Sequence, residues 1–306
     1  GATVWGANAV NGVINIITKS AKDTQGGLLT AGGGTEETAF GVVRYGLKLQ
    51  DDAFLRLYAK GGTGDDTRLG SGAKSVDAWW HGVGGFRLDW TPTGADTVMV
   101  QGEFYAGISE QPTLPAFPYD PVRNHGGFAL ARWTRELADD SRTSLQFFYD
   151  RRVRDTQGFK EDRDQYDVEF QHQLGLGTRN NLVWGGGYRL NLDRLEPGTA
   201  TFLPAEEEVH QFNLFLQDTL TLVPERLTFT PGVKLELHEY TGLEVQPGAR
   251  LAWTPHAHHT FWASVARAVR TPSRADETFQ IPAVSLPNTA LSSERLTAYE
   301  LGYRTQ

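Results

Sequence analysis

Long segments in which apolar and polar residues alternate one by one constrain this chain more than any other feature. Residues 166–174 and 227–237 each place mainly apolar side chains on one set of alternate positions and mainly polar ones on the other. Because successive side chains of a β-strand point to opposite faces, this pattern predicts strands with one apolar and one polar face. The same alternation recurs along the chain and predicts these strands: 27–34, 38–49, 52–61, 76–91, 96–108, 124–137, 142–153, 162–175, 179–193, 207–222, 226–239, 243–254, 259–270 and 294–305.

The connections between these predicted strands alternate in length. Every second connection is a short turn, whereas most of the others are long, namely 62–75, 109–123, 194–206 and 271–293. Long loops on one rim and short turns on the other are typical of an outer-membrane barrel. Most of the predicted strands are also longer than the roughly 9–11 residues that a tilted strand needs to cross the hydrocarbon. The sequence therefore predicts an all-β, antiparallel transmembrane β-barrel.

Composition excludes several other classes of protein. The formal net charge of −8 and a pI near 5.5 argue against nucleic acid as the main partner. The absence of cysteine excludes disulfides and thiolate metal sites. A mean hydropathy of −0.40, without an apolar run approaching the about 20 residues of a membrane helix, excludes a transmembrane helix. The same composition is compatible with a membrane barrel, since every second residue of a barrel strand faces water.

The first residues of the chain carry a second signal. Residues 5–19 read Trp-Gly-Ala-Asn-Ala-Val-Asn-Gly-Val-Ile-Asn-Ile-Ile-Thr-Lys, and the β-branched run within them predicts a buried strand entered through a tight turn. As a motif, the segment closely resembles the closing segment of the plug domain of TonB-dependent outer-membrane receptors. Segments 224–235, 246–253, 266–273 and 294–303 are similar to barrel segments of the same family.

This resemblance implies a domain organisation. Residues 1–20 are expected to be the end of a plug domain, and residues 21–306 a partial TonB-dependent receptor β-barrel. The barrel part would hold about 14 of the roughly 22 strands of such transporters. The start inside the plug motif and the lack of a terminal aromatic residue lead us to expect a fragment cut at both ends. We expect residues 1–20 to lie inside the lumen of the barrel and not in its wall.

The resemblance also implies a function in the bacterial outer membrane. Members of this family are active transporters and not enzymes, and they take up a scarce ligand such as a ferric siderophore, haem or cobalamin. The implied partners are TonB, through an N-terminal box absent from this chain, the lipid of the outer membrane, and a metal chelate or similar small ligand. Two alternatives stay open: a passive porin-like barrel or barrel enzyme, and a soluble all-β binding protein such as a sandwich or propeller. No cofactor is expected.

One long loop offers candidate ligand contacts. Segment 109–125 contains four prolines, which stiffen it, and it carries aromatic and basic side chains near the outer rim. Such side chains suit an anionic or aromatic chelate, through cation–π contacts and charge-assisted hydrogen bonds. The alternative is a proline-rich loop without a ligand role. The candidate substrate-binding residues are Phe117, Tyr119, Arg123 and His125.

A second set of candidates would join plug and wall. In the family, polar residues of the lumen hold the plug through hydrogen bonds that exchange with water, as a removable stopper requires. The polar faces of the predicted strands and the asparagines of the plug-like segment fit this role. The candidate plug and lumen contacts are Asn11, Asn15, Gln165, Asp167, Glu169, Gln171, Arg189 and Lys234.

The remaining polar clusters do not predict catalysis or metal binding. His256, His258 and His259 could in principle bind zinc, but they fall in a short turn on the periplasmic rim and are interpreted as a solvated polar turn. Residues 61–66 are glycine- and aspartate-rich without the spacing of a calcium loop, and are interpreted as a flexible extracellular loop. Ser, His and Asp form no nucleophile motif.

Overall fold

A computed structural model describes residue 8 and residues 13–111, 121–137, 140–156, 158–198, 200–280 and 290–305. Within these ranges the chain is almost entirely antiparallel β-structure. The strands are β1 (Gly26–Gly32), β2 (Glu37–Gln50), β3 (Ala53–Gly64), β4 (Trp79–Trp90), β5 (Asp96–Ser109), β6 (Val122–Glu136), β7 (Arg142–Asp155), β8 (Phe159–Leu176), β9 (Asn180–Pro197), β10 (Thr201–Phe202), β11 (Glu206–Val223), β12 (Leu227–His238), β13 (Gly242–His256), β14 (His259–Arg270), β15 (Phe279–Gln280) and β16 (Glu294–Thr305).

Fourteen of these strands form one continuous sheet, which we call the wall. Its spatial order is β1 to β9, then β11 to β14, then β16, so each wall strand pairs with its neighbours in the chain. Strands β1 and β16 are the edges, and in the described ranges each is paired on one side only. All fourteen predicted strands are thus confirmed, and the differences are confined to their ends.

On the wall, polar side chains are buried and apolar side chains are exposed, which is the reverse of the pattern in water-soluble proteins. Lys234 and Glu236 are 7% and 2% exposed, whereas Leu235 and Leu237, which alternate with them on β12, are 38% and 51% exposed. Water-soluble domains bury leucine and expose lysine and glutamate. We call the polar face the inner face and the apolar face the outer face. The predicted apolar faces of 166–174 and 227–237 both lie on the outer face.

The strand predicted for the first residues is wrong where the structure describes them. Residues 13–20 form no strand, and Ile14, Ile16 and Ile17 are 91%, 81% and 85% exposed. A β-branched run favours a strand only where a neighbouring strand takes up its backbone groups. Here the backbone is met by arginine side chains of the wall. A single 3₁₀ turn, Lys22–Thr24, then leads into β1.

The long connections contain more structure than the sequence predicted. Strand β3 continues to Gly64, into the segment interpreted as a flexible loop, and β6 begins at Val122, inside the proline-rich segment. Segments 194–206 and 271–293 contain β10 and β15, which pair with each other, and a short helix α1, Arg274–Thr278. No helix in the described ranges is long and apolar enough to cross a membrane.

Candidate functional site

The N-terminal segment, described from residue 13 to residue 21, contacts the wall through two arginines of the inner face. Arg87 Nη1 on β4 donates to the Thr18 hydroxyl at 2.7 Å and to the Thr18 carbonyl at 3.2 Å. Arg56 Nη1 on β3 donates to the Lys19 carbonyl at 2.8 Å. The three acceptor atoms belong to two neighbouring residues of the segment, Thr18 and Lys19, and two of them are backbone carbonyls. Most of this recognition is of the backbone, so it does not depend on bulky side chains in the segment.

Asp89 fixes the geometry of this contact. It lies two residues after Arg87 on the same face of β4, and its two oxygens accept from Arg87 Nε at 2.9 Å and Nη2 at 2.8 Å. The same carboxylate accepts from the backbone nitrogen of Ala21 at 2.7 Å. Paired bonds of this kind hold a guanidinium in one orientation. We call the group Thr18, Lys19, Ala21, Arg56, Arg87 and Asp89 the link contact.

A cavity of about 320 Å³ adjoins the link contact. It opens between the N-terminal segment and the inner face, and Thr18 and Gln101 both line it. The Tyr58 hydroxyl donates to Glu103 Oε2 at 2.5 Å across its floor. Three arginines also line the cavity, so this part of the wall is rich in positive charge: Arg44, Arg56 and Arg87.

The six wall residues predicted as lumen contacts share one face. The strand register places Gln165, Asp167, Glu169 and Gln171 on the same side of the sheet as Arg56 and Arg87. Arg189 and Lys234 lie on that side too, and Arg189 Nε donates to Asp167 Oδ2 at 2.8 Å.

Hydrogen bonds from residues 13–24 to the wall go instead to β3 and β4. Asn15 is exposed, and Asn11 lies outside the described residues. A plug-contact role for these residues stays a prediction. Arg56, Arg87 and Asp89 were not singled out from the sequence, although the Arg-x-Asp spacing on a predicted strand places both charges on one face.

Asn8 makes a second contact between the N-terminal part and the wall. Its side-chain oxygen accepts from the Thr271 backbone at 3.1 Å, and its side-chain nitrogen donates to the Thr271 hydroxyl at 3.2 Å. Its own backbone nitrogen donates to the Val269 carbonyl at 2.7 Å. One asparagine thus satisfies the backbone where β14 ends, at the start of the long segment that follows.

Two long connections on the rim where β14 ends pair with each other. Strands β10 and β15 pair through Thr201 with Gln280 and Phe202 with Phe279. The Phe202 ring lies 5.4 Å from Phe279 and 5.1 Å from Phe159, both edge-on. Phe202 is buried, so these rings form a small apolar core where the two connections meet the start of β8. We call residues 200–205 and 271–280 the lid.

Arg274 joins the lid to the wall. This first residue of α1 contacts Asp193 on β9, and its Nη1 lies 3.2 Å from Glu207 Oε2 on β11. It also donates to the carbonyl of Pro204 within the lid. The arginine side chain is 10% exposed. One guanidinium therefore bridges two wall strands and both lid segments.

The carboxylates around Arg274 outnumber the arginine. Burial raises the pKa of the Asp193 carboxyl to about 6, against the opposing influence of Arg274. Glu207 and Glu161 raise this pKa further, and Arg163 lowers it.

Helix α1 itself begins with a capping box, in which Ser273 and Asp276 satisfy each other's backbone nitrogens. The helix start thus presents Arg274 in a defined orientation.

Only two of the four predicted ligand contacts lie within the residues that the structure describes. Phe117 and Tyr119 lie outside the described residues. Arg123 and His125 belong to β6, opposite Ile108 and Ala106 of β5, and the register places them on the outer face. The loop boundary at 125 was therefore wrong, because β6 begins at Val122, two residues before the predicted start of this strand at residue 124. Ligand binding by these four residues stays a prediction.

The histidine-rich turn is a tight hairpin. His256 pairs with His259 at the ends of β13 and β14, and His259 Nδ1 lies 2.7 Å from the Tyr303 hydroxyl. In the ranges that the structure describes, no three His, Asp or Glu side chains lie close enough together to hold a metal ion.

Comparison with solved structures places this architecture among known receptors. The siderophore receptor PirA from Pseudomonas aeruginosa matches with a TM-score of 0.74 at 18% identity, over 99% of this chain and 57% of that one. A mutant of the ferric enterobactin receptor PfeA from the same organism matches with a TM-score of 0.74 at 16% identity, over 99% and 54%. The copper transporter OprC matches with a TM-score of 0.68 at 14% identity, over 92% and 52%.

The chain thus spans between half and three-fifths of the length of these proteins. At such identities the likeness shows a shared fold. No curated protein sequence matches the chain. The family model for the TonB-dependent receptor-like β-barrel matches residues 41–306, which is most of the wall. The alternatives of a porin-like barrel and a soluble all-β binding protein find no support. The chain belongs to the TonB-dependent receptor β-barrel family.

Proposed function

We propose that this chain is part of an outer-membrane receptor that takes up a small metal-bearing ligand with energy delivered through TonB. Residues 1–20 are the end of its plug, and residues 21–306 are the first part of the barrel that the plug closes. Ferric siderophores are the favoured ligand class, because one matched structure is named a siderophore receptor and another a ferric enterobactin receptor. A copper ligand is the alternative that the third match supports.

The observation that carries this proposal is the link contact. Residues 13–20 stay out of the wall, and the segment contacts the inner face at residues 18–21, where Arg56, Arg87 and Asp89 bind it. A segment that entered the sheet would share many ladder hydrogen bonds and could not leave without breaking the wall. A segment held by a few side-chain bonds can detach while the wall stays intact.

The strength of these bonds fits a removable stopper. A hydrogen bond to a charged group contributes about 1.5–3 kcal/mol net, because water competes for both partners. Arg87 and Arg56 supply three such bonds, and Asp89 a fourth.

The outer face supports the placement of the wall in a membrane. Its exposed leucines and aromatics are stabilised only when lipid covers them.

The test is made in the full-length receptor in its own outer membrane. Arg56→Gln combined with Arg87→Gln removes both guanidinium groups of the link contact. We expect passive entry of a hydrophilic antibiotic to rise, because the plug is retained less firmly. The matched control is Arg132→Gln, which removes an inner-face arginine of β6 that binds Gln146 at 2.9 Å and forms no hydrogen bond with the described residues of the N-terminal segment.

The uptake measurement decides the function itself. Radiolabelled iron delivered as a ferric siderophore should enter cells that carry the receptor and TonB, and should not enter when TonB is deleted. A receptor that admits neither iron nor copper chelates in a TonB-dependent manner would contradict the proposal, whatever the permeability result.

A further inference from the structure

The lid is built from segments about 70 residues apart in the chain, yet several kinds of contact tie them together. The β10–β15 ladder joins the two backbones, and the Leu203 nitrogen adds a bond to the Thr278 carbonyl at 3.3 Å. The Phe202 ring fills the space between Phe279 and Phe159. Ala200 is 7% exposed and Thr278 is 4% exposed, so each segment buries residues against the other structure around it.

Arg274 is the point at which this unit is fastened to the wall. It contacts β9, β11 and the other lid segment: it forms ion pairs with Asp193 and Glu207, and it donates a hydrogen bond to the Pro204 carbonyl. The neighbouring arginine, Arg270, makes a different kind of contact: it binds Glu294 at 2.6 Å and Asp276 at 3.4 Å with about half of its side chain exposed. An exposed pair of this kind contributes little to stability.

We propose that Arg274 is a latch that holds the two lid segments against the wall as one body, so that they open and close together over the lumen. This inference rests on the proposed function only for what the lid admits. The latch itself is a property of the fold and is tested without ligand and without TonB. Opening in two independent steps would be expected if the ladder and the rings merely met by proximity.

Residues 1–306 contain no cysteine, so an introduced thiol is the only one within them, and any cysteine elsewhere in the full-length receptor is first replaced by serine. Ala200→Cys reports on the first lid segment and Thr278→Cys on the second, both from buried positions. Ala275→Cys, at an exposed position of α1, gives the rate of an unprotected thiol. Each is introduced into the full-length receptor and labelled with a maleimide.

Removal of the latch should release both reporters together. With Arg274→Gln, we expect the labelling rates at positions 200 and 278 to rise by about tenfold or more, while the rate at 275 stays unchanged. Arg274→Lys keeps the charge with a single donor group, and its rates should fall between those of the natural residue and the glutamine variant. Arg270→Gln, the matched control, should leave all three rates unchanged.

Two outcomes would overturn the inference. If only position 278 gains reactivity, the segments do not move as one body. If neither position gains reactivity, Arg274 is not the latch. Should Arg274→Gln fail to assemble, Asp193→Asn combined with Glu207→Gln removes both carboxylate charges instead and must give the same joint increase. None of these readings depends on transport, so failure of the latch and failure of the proposed uptake are separately visible.

Discussion

The link contact and the lid contact use the same residue type on the same wall in opposite ways. At the link, the arginines belong to the wall and the bound segment offers mainly backbone carbonyls. At the lid, the arginine belongs to the bound segment and the wall offers carboxylates. Burial does not separate the two, because Arg87 and Asp89 are 15% and 18% exposed while Arg274 and Asp193 are 10% and 14% exposed.

The difference lies in the balance of charge. The link combines Arg56 and Arg87 with a single carboxylate, Asp89, and so has an excess of positive charge. The lid combines Arg274 with Asp193 and Glu207, and has an excess of negative charge. Backbone carbonyls do not titrate, whereas a crowded carboxylate does. The comparison teaches that the crowded carboxylates make the lid sensitive to proton concentration, whereas the link depends mainly on backbone groups and on one carboxylate that is already paired with an arginine.

The largest expected effect tests the assignment of the inner and outer faces of the wall, on which the comparison depends. Phe170 lies on the outer face, 5.5 Å from the Trp184 ring, and Gln171 lies on the inner face. Phe170→Arg would place a charge in lipid at a cost of up to about 2–4 kcal/mol, so assembled protein should be lost. Gln171→Arg should assemble normally. Heat-modifiable mobility in SDS gels measures assembly, and equal outcomes would remove the distinction between the faces.

The next effect breaks the lid contact from its acceptor side. Asp193→Asn alone removes one charge from a site that already holds an excess of carboxylates, so the remaining pair of Arg274 and Glu207 should keep the lid closed. Asp193→Asn with Glu207→Gln leaves the guanidinium buried without a counter-charge, which is the costly state for an ion pair. Proteolysis within residues 271–280 should therefore accelerate only in the double variant. Equal acceleration in both would mean that Asp193 carries the contact alone.

The pH dependence sharpens the comparison further. The closed lid raises the pKa of Asp193 to about 6 from its ordinary 3.8, so the closed state binds the proton more tightly than an open state in which water reaches the carboxylate. Lid closure is therefore favoured as the pH falls through about 6, and the gain levels off near 3.8. The charged or titratable groups facing Asp193 are Arg274, Glu207, Arg163, Glu161 and the Tyr240 hydroxyl.

This pH effect has a defined size and control. The ratio of closed to open lid should be about tenfold larger at pH 5 than at pH 7. Labelling of Thr278→Cys, divided by that of Ala275→Cys at the same pH, measures it. The dependence should disappear in Asp193→Asn. Protection that weakens on acidification would show that the ion pair with Arg274, and not burial, controls this carboxyl.

The smallest expected effect compares the ion pairs of Arg274 with an ordinary ion pair on the protein surface. Lys160 and Glu196 form an ion pair at 2.8 Å on the outer side of β8 and β9, close to the lid in the chain but exposed to water. Exposed pairs are screened and contribute little. Lys160→Gln should leave the labelling rate at Thr278→Cys unchanged. A rise as large as that of Arg274→Gln would mean that the lid responds to any nearby charge.

Alternation along the chain was sufficient to predict the wall, because each wall strand has one face that meets polar groups and one that is apolar. Residues 227–237 illustrate this, since every inner-face residue there was assigned from sequence alone. The ends of strands were predicted less well. Arg123 and His125 continue the alternation of β6, but the four prolines nearby favoured a loop.

The sites could be predicted only in part. Two-residue elements such as β10 and β15 have no periodicity, and their pairing joins residues 201 and 280, which no local pattern relates. Arg274 begins a helix whose capping signal, Ser273 with Asp276, is present in the sequence, but the carboxylates that Arg274 contacts come from distant strands. The strand predicted at 13–18 failed for a related reason: a strand depends on its neighbours as much as on its own residues.

Cross-linking of the N-terminal segment to the wall tests the central claim most directly. Thr18 and Gln101 line the same cavity on the inner face, while Val100 points to the outer face of the same strand. In the full-length receptor, which is expected to be free of competing thiols in this region, Thr18→Cys with Gln101→Cys should be joined by a short bis-maleimide, and Thr18→Cys with Val100→Cys should not. Equal yields, or a higher yield at position 100, would contradict a segment held against the inner face of the wall.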